Sequence, residues 1–259
     1  MTLQYARLFQ LRAGILLIAE HGPLTRDELA ERLRQRKSIE AGIDDATEGA
    51  DDIITHLRDA HLLTESDKGF RLTTGEDLAS AVDNTALLYA GKAIPGAGNK
   101  RAQADRILAN LMYEHPMLLQ LSKYVYRYGP VQTYELKQQF DGEAFLNDKM
   151  NAFTIDMGVN LLKDADSIEE TTNGLRSGRW PIRLFAHVTY EEFHDLIEEG
   201  AGGIRESDLF ERLETMYGIG RETFDTHLSR LHSAGIISEG SYEEVSVNMD
   251  ALEGARIHE

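Results

Sequence analysis

One short pattern occurs three times in this sequence, each time where an amphipathic helix is predicted to give way to a strand. A leucine is followed three residues later by alanine and, three residues after that, by leucine or isoleucine. Leucine and alanine at this spacing lie on one face of a helix, and the next apolar residue opens the strand. The occurrences are Leu57-Ala60-Leu63, Leu162-Ala165-Ile168 and Leu231-Ala234-Ile237. Their unequal separation indicates separate units in tandem rather than a solenoid.

The residues around the first occurrence predict three helices and a β-hairpin. Apolar residues over 8–20 recur at helical spacing and define the first helix. Thr25 is the predicted N-cap of the second helix, with Glu28 completing a capping box. The third helix is predicted over 51–60. Short strand-like runs then flank Ser66-Asp67-Lys68-Gly69, which is typical of a β-hairpin turn.

The same order of elements is predicted twice more. The second unit has predicted helices at 116–128, 133–140 and 152–163 and a hairpin turn at Asn173-Gly174. The third unit has predicted helices at 190–199, 206–217 and 220–234 and a hairpin over 236–248. Thr133 and Ser207 are the predicted caps of the two second helices.

The segment between the first two units has a different composition. Glycine and proline are frequent over 91–101, which predicts a loop or linker. Residues 76–89 before it and 105–113 after it are predicted to be helical and to bridge domains or carry a dimer contact.

Three helices followed by a β-hairpin resemble the winged helix-turn-helix family, including its tight helix-turn-helix, here from Gly22 to Leu33. The resemblance implies a mainly α fold with short β-hairpins, in the α+β class, and three tandem winged helix domains. The implied domains are 1–82, 116–183 and 184–259, with a linker and bridging helices at 83–115. In this family the third helix usually enters the major groove of DNA and the wing contacts the backbone or the minor groove.

The net charge excludes a uniformly basic nucleic-acid-binding protein. The 259 residues include 44 Asp and Glu but only 27 Lys and Arg, so the formal charge is −17. Any nucleic-acid site must therefore be a local patch on an acidic body. Because only 8 of the bases are lysine, the composition resembles that of proteins from halophilic archaea, in which salt screens self-repulsion. An ordinary acidic bacterial protein is the alternative.

The cysteine count and the hydropathy pattern limit the location and the chemistry. The chain contains no cysteine, which excludes disulfides, thiol catalysis and metal sites built on thiolates. The longest strongly apolar run is 13–19, whereas a membrane span needs about 20 residues. We expect a cytoplasmic protein with no signal peptide and no membrane partner.

The second and third units carry the candidate DNA contacts. After its predicted turn the second unit has an arginine-bearing wing, with Trp180 among the arginines as an alternative anchor for the next domain. The third unit presents short hydroxyls, histidine and arginine on the predicted open face of its third helix, although its wing is acidic. The predicted nucleic-acid-binding residues are Arg176, Arg179 and Arg183 in the wing, Arg221, Thr223, Thr226, His227 and Arg230 in the helix, and Lys100 and Arg101 after the linker.

The first unit is poorly suited to binding DNA. Carboxylates that include Asp51, Asp52 and Asp59 flank its third helix, and they would repel phosphates. A core-forming or partner-binding role is therefore the better interpretation of this unit.

The sequence gives little support for catalysis. It contains no complete phosphate-binding loop, no nucleophile elbow and no His-Glu-x-x-His motif, so we predict no catalytic residue, cofactor or metal site. Acid pairs such as Glu191-Glu192 and Glu198-Glu199 are predicted to be solvated faces rather than general acid and base pairs.

Two functions remain open at this stage. The first is a transcriptional regulator that binds double-stranded DNA as a homodimer. The second is a non-catalytic adaptor that binds protein partners in a DNA-processing, chromosome-organising or defence complex. A continuous surface formed by the predicted arginines favours DNA, whereas scattered arginines with exposed apolar side chains favour a protein partner.

Overall fold

The computed structural model describes residues 7–35, 46–60, 62–73, 114–145, 148–200, 203–240 and 244–248, together with several helical positions between Ala104 and Met112. These residues are mainly helical with short antiparallel two-stranded hairpins, which agrees with the predicted α+β class. The predicted helix at 76–89, the linker at 91–101 and the contacts Lys100 and Arg101 lie outside the described residues. No helix in the described part of the chain is both long and apolar enough to cross a membrane.

The observed elements follow the predicted order. The first unit contains α1 (Leu8–His21), α2 (Arg26–Gln35), α3 (Ala46–Asp59), β1 (Leu63–Ser66) and β2 (Gly69–Leu72). The second contains α4 (Pro116–Tyr128), α5 (Thr133–Phe140), β3 (Ala144–Phe145), β4 (Asp148–Lys149), α6 (Ala152–Asp164), β5 (Ile168–Thr171) and β6 (Gly174–Ser177). The third contains α7 (Ile182–Glu198), α8 (Glu206–Tyr217), α9 (Arg221–Ser233), β7 (Ile237–Glu239) and β8 (Val245–Val247).

The backbone closes the helix-to-strand junction identically in all three units. The residue before each hairpin donates its N–H to the carbonyl of the junction leucine, and the residue after the hairpin donates back to the residue before it. The first set of bonds is Leu62 to Leu57 at 2.8 Å, Ser167 to Leu162 at 2.9 Å and Ile236 to Leu231 at 3.0 Å. The second set is Thr73 to Leu62 at 3.0 Å, Gly178 to Ser167 at 2.9 Å and Asn248 to Ile236 at 2.8 Å.

A further contact ties each hairpin to the start of the second helix. An isolated antiparallel bridge joins the residue ahead of that helix to the return side of the hairpin. The bridges are Leu24 with Phe70, Val131 with Leu175 and Arg205 with Glu244. The repeated junction pattern in the sequence therefore corresponds to a repeated hydrogen-bond frame.

Two of these hairpins require glycine at the start of the return strand. Gly69 and Gly174 have φ of +112° and +122°. A Cβ would lie 2.5 Å from the Leu24 carbonyl carbon at Gly69 and 2.6 Å from the Val131 oxygen at Gly174. Both positions therefore need the freedom and the small size of glycine. The second turn itself is Thr172-Asn173, one residue earlier than predicted, because Gly174 already pairs with Thr171.

The capping box predicted for α2 is confirmed. The Thr25 N–H donates to Glu28 Oε2 at 2.8 Å, and the Glu28 N–H donates to Thr25 Oγ1 at 3.3 Å. The first of these bonds is the main cause that lowers the pKa of Glu28. The box satisfies backbone donors that the helix itself leaves unpaired.

The caps predicted for α5 and α8 are wrong. The N-caps are Gln132 and Arg205, and each donates its N–H to an acid in the first turn, Glu135 at 2.6 Å and Asp208 at 3.2 Å. Both cap residues have extended backbone, so the helix begins directly after them and the acid falls at its third position.

The first helix of the third unit begins earlier than predicted. It starts at Ile182, directly after Pro181, and not at Tyr190. Leu184, Phe185 and Val188 are all buried, so the first half of α7 is buried on several sides and has no single apolar stripe that marks a helix. The predicted boundary between 183 and 184 therefore lies inside a helix.

The three units pack against one another. Arg7 Nε donates to Asp164 Oδ2 at 2.7 Å and the Leu8 N–H donates to the same oxygen at 3.1 Å, which joins the start of α1 to the end of α6. Trp180 is 3% exposed and its ring centroid lies 4.1 Å from that of Tyr126 and 6.2 Å from that of Tyr217. Trp180 therefore anchors the third unit on the second.

Candidate functional site

Arg176 lies on β6 and is held by its own hairpin. It pairs across the strands with Glu169, and its Nη2 donates to Glu169 Oε2 at 2.7 Å. The side chain is 59% exposed, so it faces solvent as predicted for a wing residue. Its charge is nevertheless balanced by a carboxylate on the neighbouring strand.

Arg179 and Arg183 do not extend the wing. Arg179 is half-buried, and its Nη2 donates to the Ala165 carbonyl at 3.3 Å, at the end of α6. Arg183 belongs to α7, and its side chain lies outside the described part of the structure. The prediction of Arg183 as a wing contact is wrong, because the hairpin ends at Ser177 and the chain has already entered the next helix.

Arg221 opens α9 and is held by two carboxylates, although its side chain is 52% exposed. Its Nη2 donates to Glu206 Oε1 at 2.6 Å, and its Nε lies 2.8 Å from Asp225 Oδ1. The guanidinium also lies 5.0 Å and 5.5 Å from the ring centroids of Phe210 and Phe224. Two carboxylates and two rings therefore compete with any phosphate for this arginine.

The other predicted residues of α9 divide into buried and exposed positions. His227 is only 7% exposed, and its Nε2 lies 2.8 Å from the Trp180 carbonyl oxygen, so its prediction on the open face is wrong. The ring packs 5.1 Å from that of Phe185 because α9 turns this side toward α7. Thr223 is half-buried, whereas Thr226 and Arg230 are exposed.

Arg176, Arg179 and Arg221 thus lie on different elements and are held by different acceptors. Arg176 binds Glu169 on a strand, Arg179 binds a carbonyl at the end of α6, and Arg221 binds Glu206 and Asp225. Each of these three charges is therefore engaged by the chain itself. Of the predicted contacts whose side chains are described, Arg230 is an exposed arginine that forms no ion pair with another described residue.

Two exposed aromatic side chains on the second and third helices of the second unit were missed by sequence reasoning. Tyr134 is 60% exposed near the start of α5, and Phe153 is 51% exposed near the start of α6. One turn further along each helix, Lys137 Nζ donates to Asp156 Oδ2 at 2.7 Å and joins the two helices. We call Tyr134, Phe153 and this ion pair the aromatic face. The sequence could have indicated this face, because Tyr134 and Phe153 do not fall on the apolar stripes by which α5 and α6 contribute to the core.

A second unexpected feature is an acidic cavity between α7 and α8. Its volume is about 430 Å³, and its lining residues are Tyr190, Glu191, Glu192, His194, Asp195 and Tyr217. Glu192 is 3% exposed and accepts hydrogen bonds from Tyr217 Oη and Arg212 Nε, both at 2.7 Å. The prediction that Glu192 is solvated is therefore wrong, whereas Glu198 and Glu199 are exposed as predicted.

The ionisation of this cavity is set by its neighbours. Burial alone would raise the pKa of Glu191, but the contact to His187 and the charge of Lys123 outweigh it and lower the pKa to about 2. His187 Nε2 and Lys123 Nζ lie 3.3 Å and 2.7 Å from the Glu191 carboxylate. Burial, and then the hydrogen bond to Glu192, raise the pKa of Tyr217. Glu191 is therefore charged and Tyr217 is neutral near pH 7.

The cavity mouth also offers a possible set of metal ligands. The ligand atoms of His194, Asp195 and Glu198 lie within 4.8 Å of one another, and all three side chains are exposed. His194 Nδ1 lies 3.6 Å from Glu198 Oε1. Exposed groups at this spacing are common on helices, so the triad alone identifies no metal.

Comparison with known protein families gives no match for this chain, and neither does comparison with curated protein sequences.

Proposed function

We propose that the three units are tandem winged helix domains. The support is the repeated hydrogen-bond frame, in which the helix-to-strand junction, the hairpin ends and the bridge to the second helix recur in each unit. In a winged helix the hairpin stands beside the helix-turn-helix, and such a bridge holds it there.

Their proposed function is that of a non-catalytic adaptor that binds protein partners in a larger assembly. The observation that carries this proposal is that Arg176, Arg179 and Arg221, three of the predicted DNA-contacting arginines, are bound to acceptors of the chain itself. A phosphate at Arg176 or Arg221 must compete with a carboxylate already bound there. On a body with a formal charge of −17, that exchange is opposed at long range as well.

The aromatic face supplies the apolar part of the proposed partner surface. In a DNA-reading winged helix, the exposed side of the second and third helices carries polar and basic side chains toward the duplex. Here that side carries Tyr134 and Phe153 around an internally neutralised Lys137–Asp156 pair. Exposed aromatic residues of this kind are enriched in protein interfaces.

The adaptor proposal is tested by co-purification from cells of the source organism at the salt concentration of their cytoplasm. We expect the tagged chain to retain a stoichiometric protein partner, and the double variant Tyr134→Ser/Phe153→Ser to lose at least about 90% of it, since a buried aromatic anchor commonly contributes 2 kcal/mol or more. Tyr128→Ser is the matched control, because Tyr128 is 54% exposed on α4 but lies outside the aromatic face. Partner recovery unchanged in the double variant, or no stoichiometric partner at all, would contradict the proposal.

DNA binding by a transcriptional regulator is the second candidate, and one observation favours it. Thr226 and Arg230 lie one turn apart on α9, both are exposed, and Arg230 forms no ion pair with another described residue. A hydroxyl and a guanidinium at this spacing suit phosphate and base contacts. This candidate requires binding to duplex DNA that weakens with salt and depends on Arg230.

A further inference from the structure

The acidic cavity and the residues beside it carry more carboxylates than form ion pairs with lysine or arginine among the described residues. Glu191, Glu192, Asp195, Glu198 and Glu199 lie along α7. Lys123 on α4 pairs with Glu191, and Arg212 on α8 pairs with Glu192 and Glu199. Asp195 lines the cavity, is exposed and forms no ion pair with another described residue.

Lys123 and Arg212 show that this surface binds basic side chains. Arg212 Nε lies 2.7 Å from Glu192 Oε2, and its Nη2 lies 3.3 Å from Glu199 Oε1, so one guanidinium already joins two acids of α7. Lys123 reaches the same helix from the second unit at 2.7 Å from Glu191. Basic side chains from outside α7 therefore bind here. Asp195 extends that surface with an exposed carboxylate that lies within electrostatic reach of Arg212 but forms no ion pair with another described residue.

Aromatic walls distinguish this cavity from a simple acidic surface. Tyr190 and Tyr217 both line it, and the rings of Tyr190 and His194 lie 6.1 Å apart. Aromatic faces attract guanidinium and ammonium groups, and the attraction adds to that of nearby carboxylates. A volume of about 430 Å³ is suited to an organic side chain and is far larger than a bare metal ion needs.

We propose that this cavity is a docking site for an arginine side chain on a basic segment of a protein partner. The guanidinium binds Asp195 at the cavity mouth and packs against Tyr190, while Ile197, which is 49% exposed on the same helix, contacts the flanking residues of the segment. The inference deepens the proposed adaptor function by stating the chemistry of the partner, and it rests on that function.

The test uses the full chain and a fluorescein-labelled Gly-Ser peptide that carries three arginines, with a matched peptide that carries glutamine instead. We expect the arginine peptide to bind at least about tenfold more tightly by fluorescence anisotropy, and Asp195→Asn and Tyr190→Leu each to weaken binding about threefold. Glu222→Gln removes the same charge from the exposed side of α9 and should leave the affinity unchanged within about twofold.

Equal weakening by Glu222→Gln and Asp195→Asn would overturn the proposal, because attraction by net charge would then explain binding. Binding of Zn²⁺ without binding of the arginine peptide would also overturn it in favour of a metal site at His194, Asp195 and Glu198. The outcome is separable from that of the adaptor test: specific peptide binding with no stoichiometric partner in cells supports the cavity and contradicts the adaptor function. Partner retention that depends on the aromatic face, with no peptide binding, supports the adaptor function and contradicts the proposed arginine site.

Discussion

Two adjacent acids on α7, Glu191 and Glu192, are bound by different neighbours. Glu192 is enclosed by Tyr217 and Arg212, while Glu191 is held between Lys123 of the second unit and the buried ring of His187. Both carboxylates join α7 to a neighbouring helix. Their charge is therefore part of how the third unit is held, as well as part of the cavity.

Glu191 gives the fold a defined acid sensitivity. Its pKa is lowered from 4.5 to about 2, so its ionised form stabilises the fold fully above about pH 4.5, and this contribution is lost as the pH falls toward 2. We expect Glu191→Gln to be less stable than the wild type at pH 6 and to lose less stability between pH 4.5 and pH 2. Urea unfolding at a series of pH values measures this. Glu198→Gln, changed at an exposed acid of the same helix, should keep the wild-type slope, and parallel curves for all three proteins would contradict the assignment.

At the residue scale, sequence reasoning located some environments and missed others. The Thr25–Glu28 capping box was predictable because both partners lie within one turn. The burial of His227 was not, because it depends on a carbonyl at Trp180 that only tertiary packing brings near. The aromatic face was missed because Tyr134 and Phe153 resemble core residues by type and become informative only through their exposure.

At the element scale, the first and third helices of two units meet through a glycine. A Cβ at Gly14 of α1 would lie 2.4 Å from Ile53 Cγ2 of α3, and a Cβ at Gly158 of α6 would lie 2.7 Å from Leu121 Cδ1 of α4. The glycine is on the first helix in one unit and on the third helix in the other. The first and third helices therefore approach each other closely in both units, although the glycine that permits this lies on a different helix in each.

This close approach makes Gly158→Ala a sensitive test of the packing. The added methyl group would also lie 3.1 Å from Leu118 Cδ2, so the helices must separate or the leucines must shift. We expect the free energy of unfolding to fall by about 1–3 kcal/mol in chemical denaturation, despite the higher helix propensity of alanine. Gly220→Ala, where a Cβ meets nothing within 4 Å, should cost less than Gly158→Ala, namely only the about 0.5 kcal/mol expected for a less favourable N-cap residue of α9. A gain in stability for Gly158→Ala would contradict the described helix contact.

The order of the elements could be predicted from the sequence. In each unit the spacing of apolar residues changes from a helical pattern to an alternating strand pattern. The start of α7 could not be predicted, since Ile182, Phe185 and Val188 are buried on several sides of the helix and no amphipathic pattern marks it. The caps of α5 and α8 were misplaced by one residue or more because Thr133 and Ser207 are good cap residues by type. Each helix begins instead within two residues of the bridge to its hairpin, at Val131 before α5 and at Arg205 before α8.

At the scale of the whole molecule, charge and packing favour the same account. The three units share one hydrophobic core, with Asp164 joining the first two and Trp180 joining the last two. The chain therefore presents a connected acidic body whose described arginines are mostly bound to its own acceptors. The proposed adaptor function, with a basic protein as the partner, is consistent with such a surface.

The most direct measurement is a fluorescence anisotropy titration of the full chain with short duplex DNA, across a KCl series that extends to molar concentration. The account predicts no measurable binding at any KCl concentration at which circular dichroism shows the chain to be folded. Binding that weakens steeply with KCl, and that is weaker still in Arg230→Ala, would show that α9 contacts phosphates and would contradict the adaptor function.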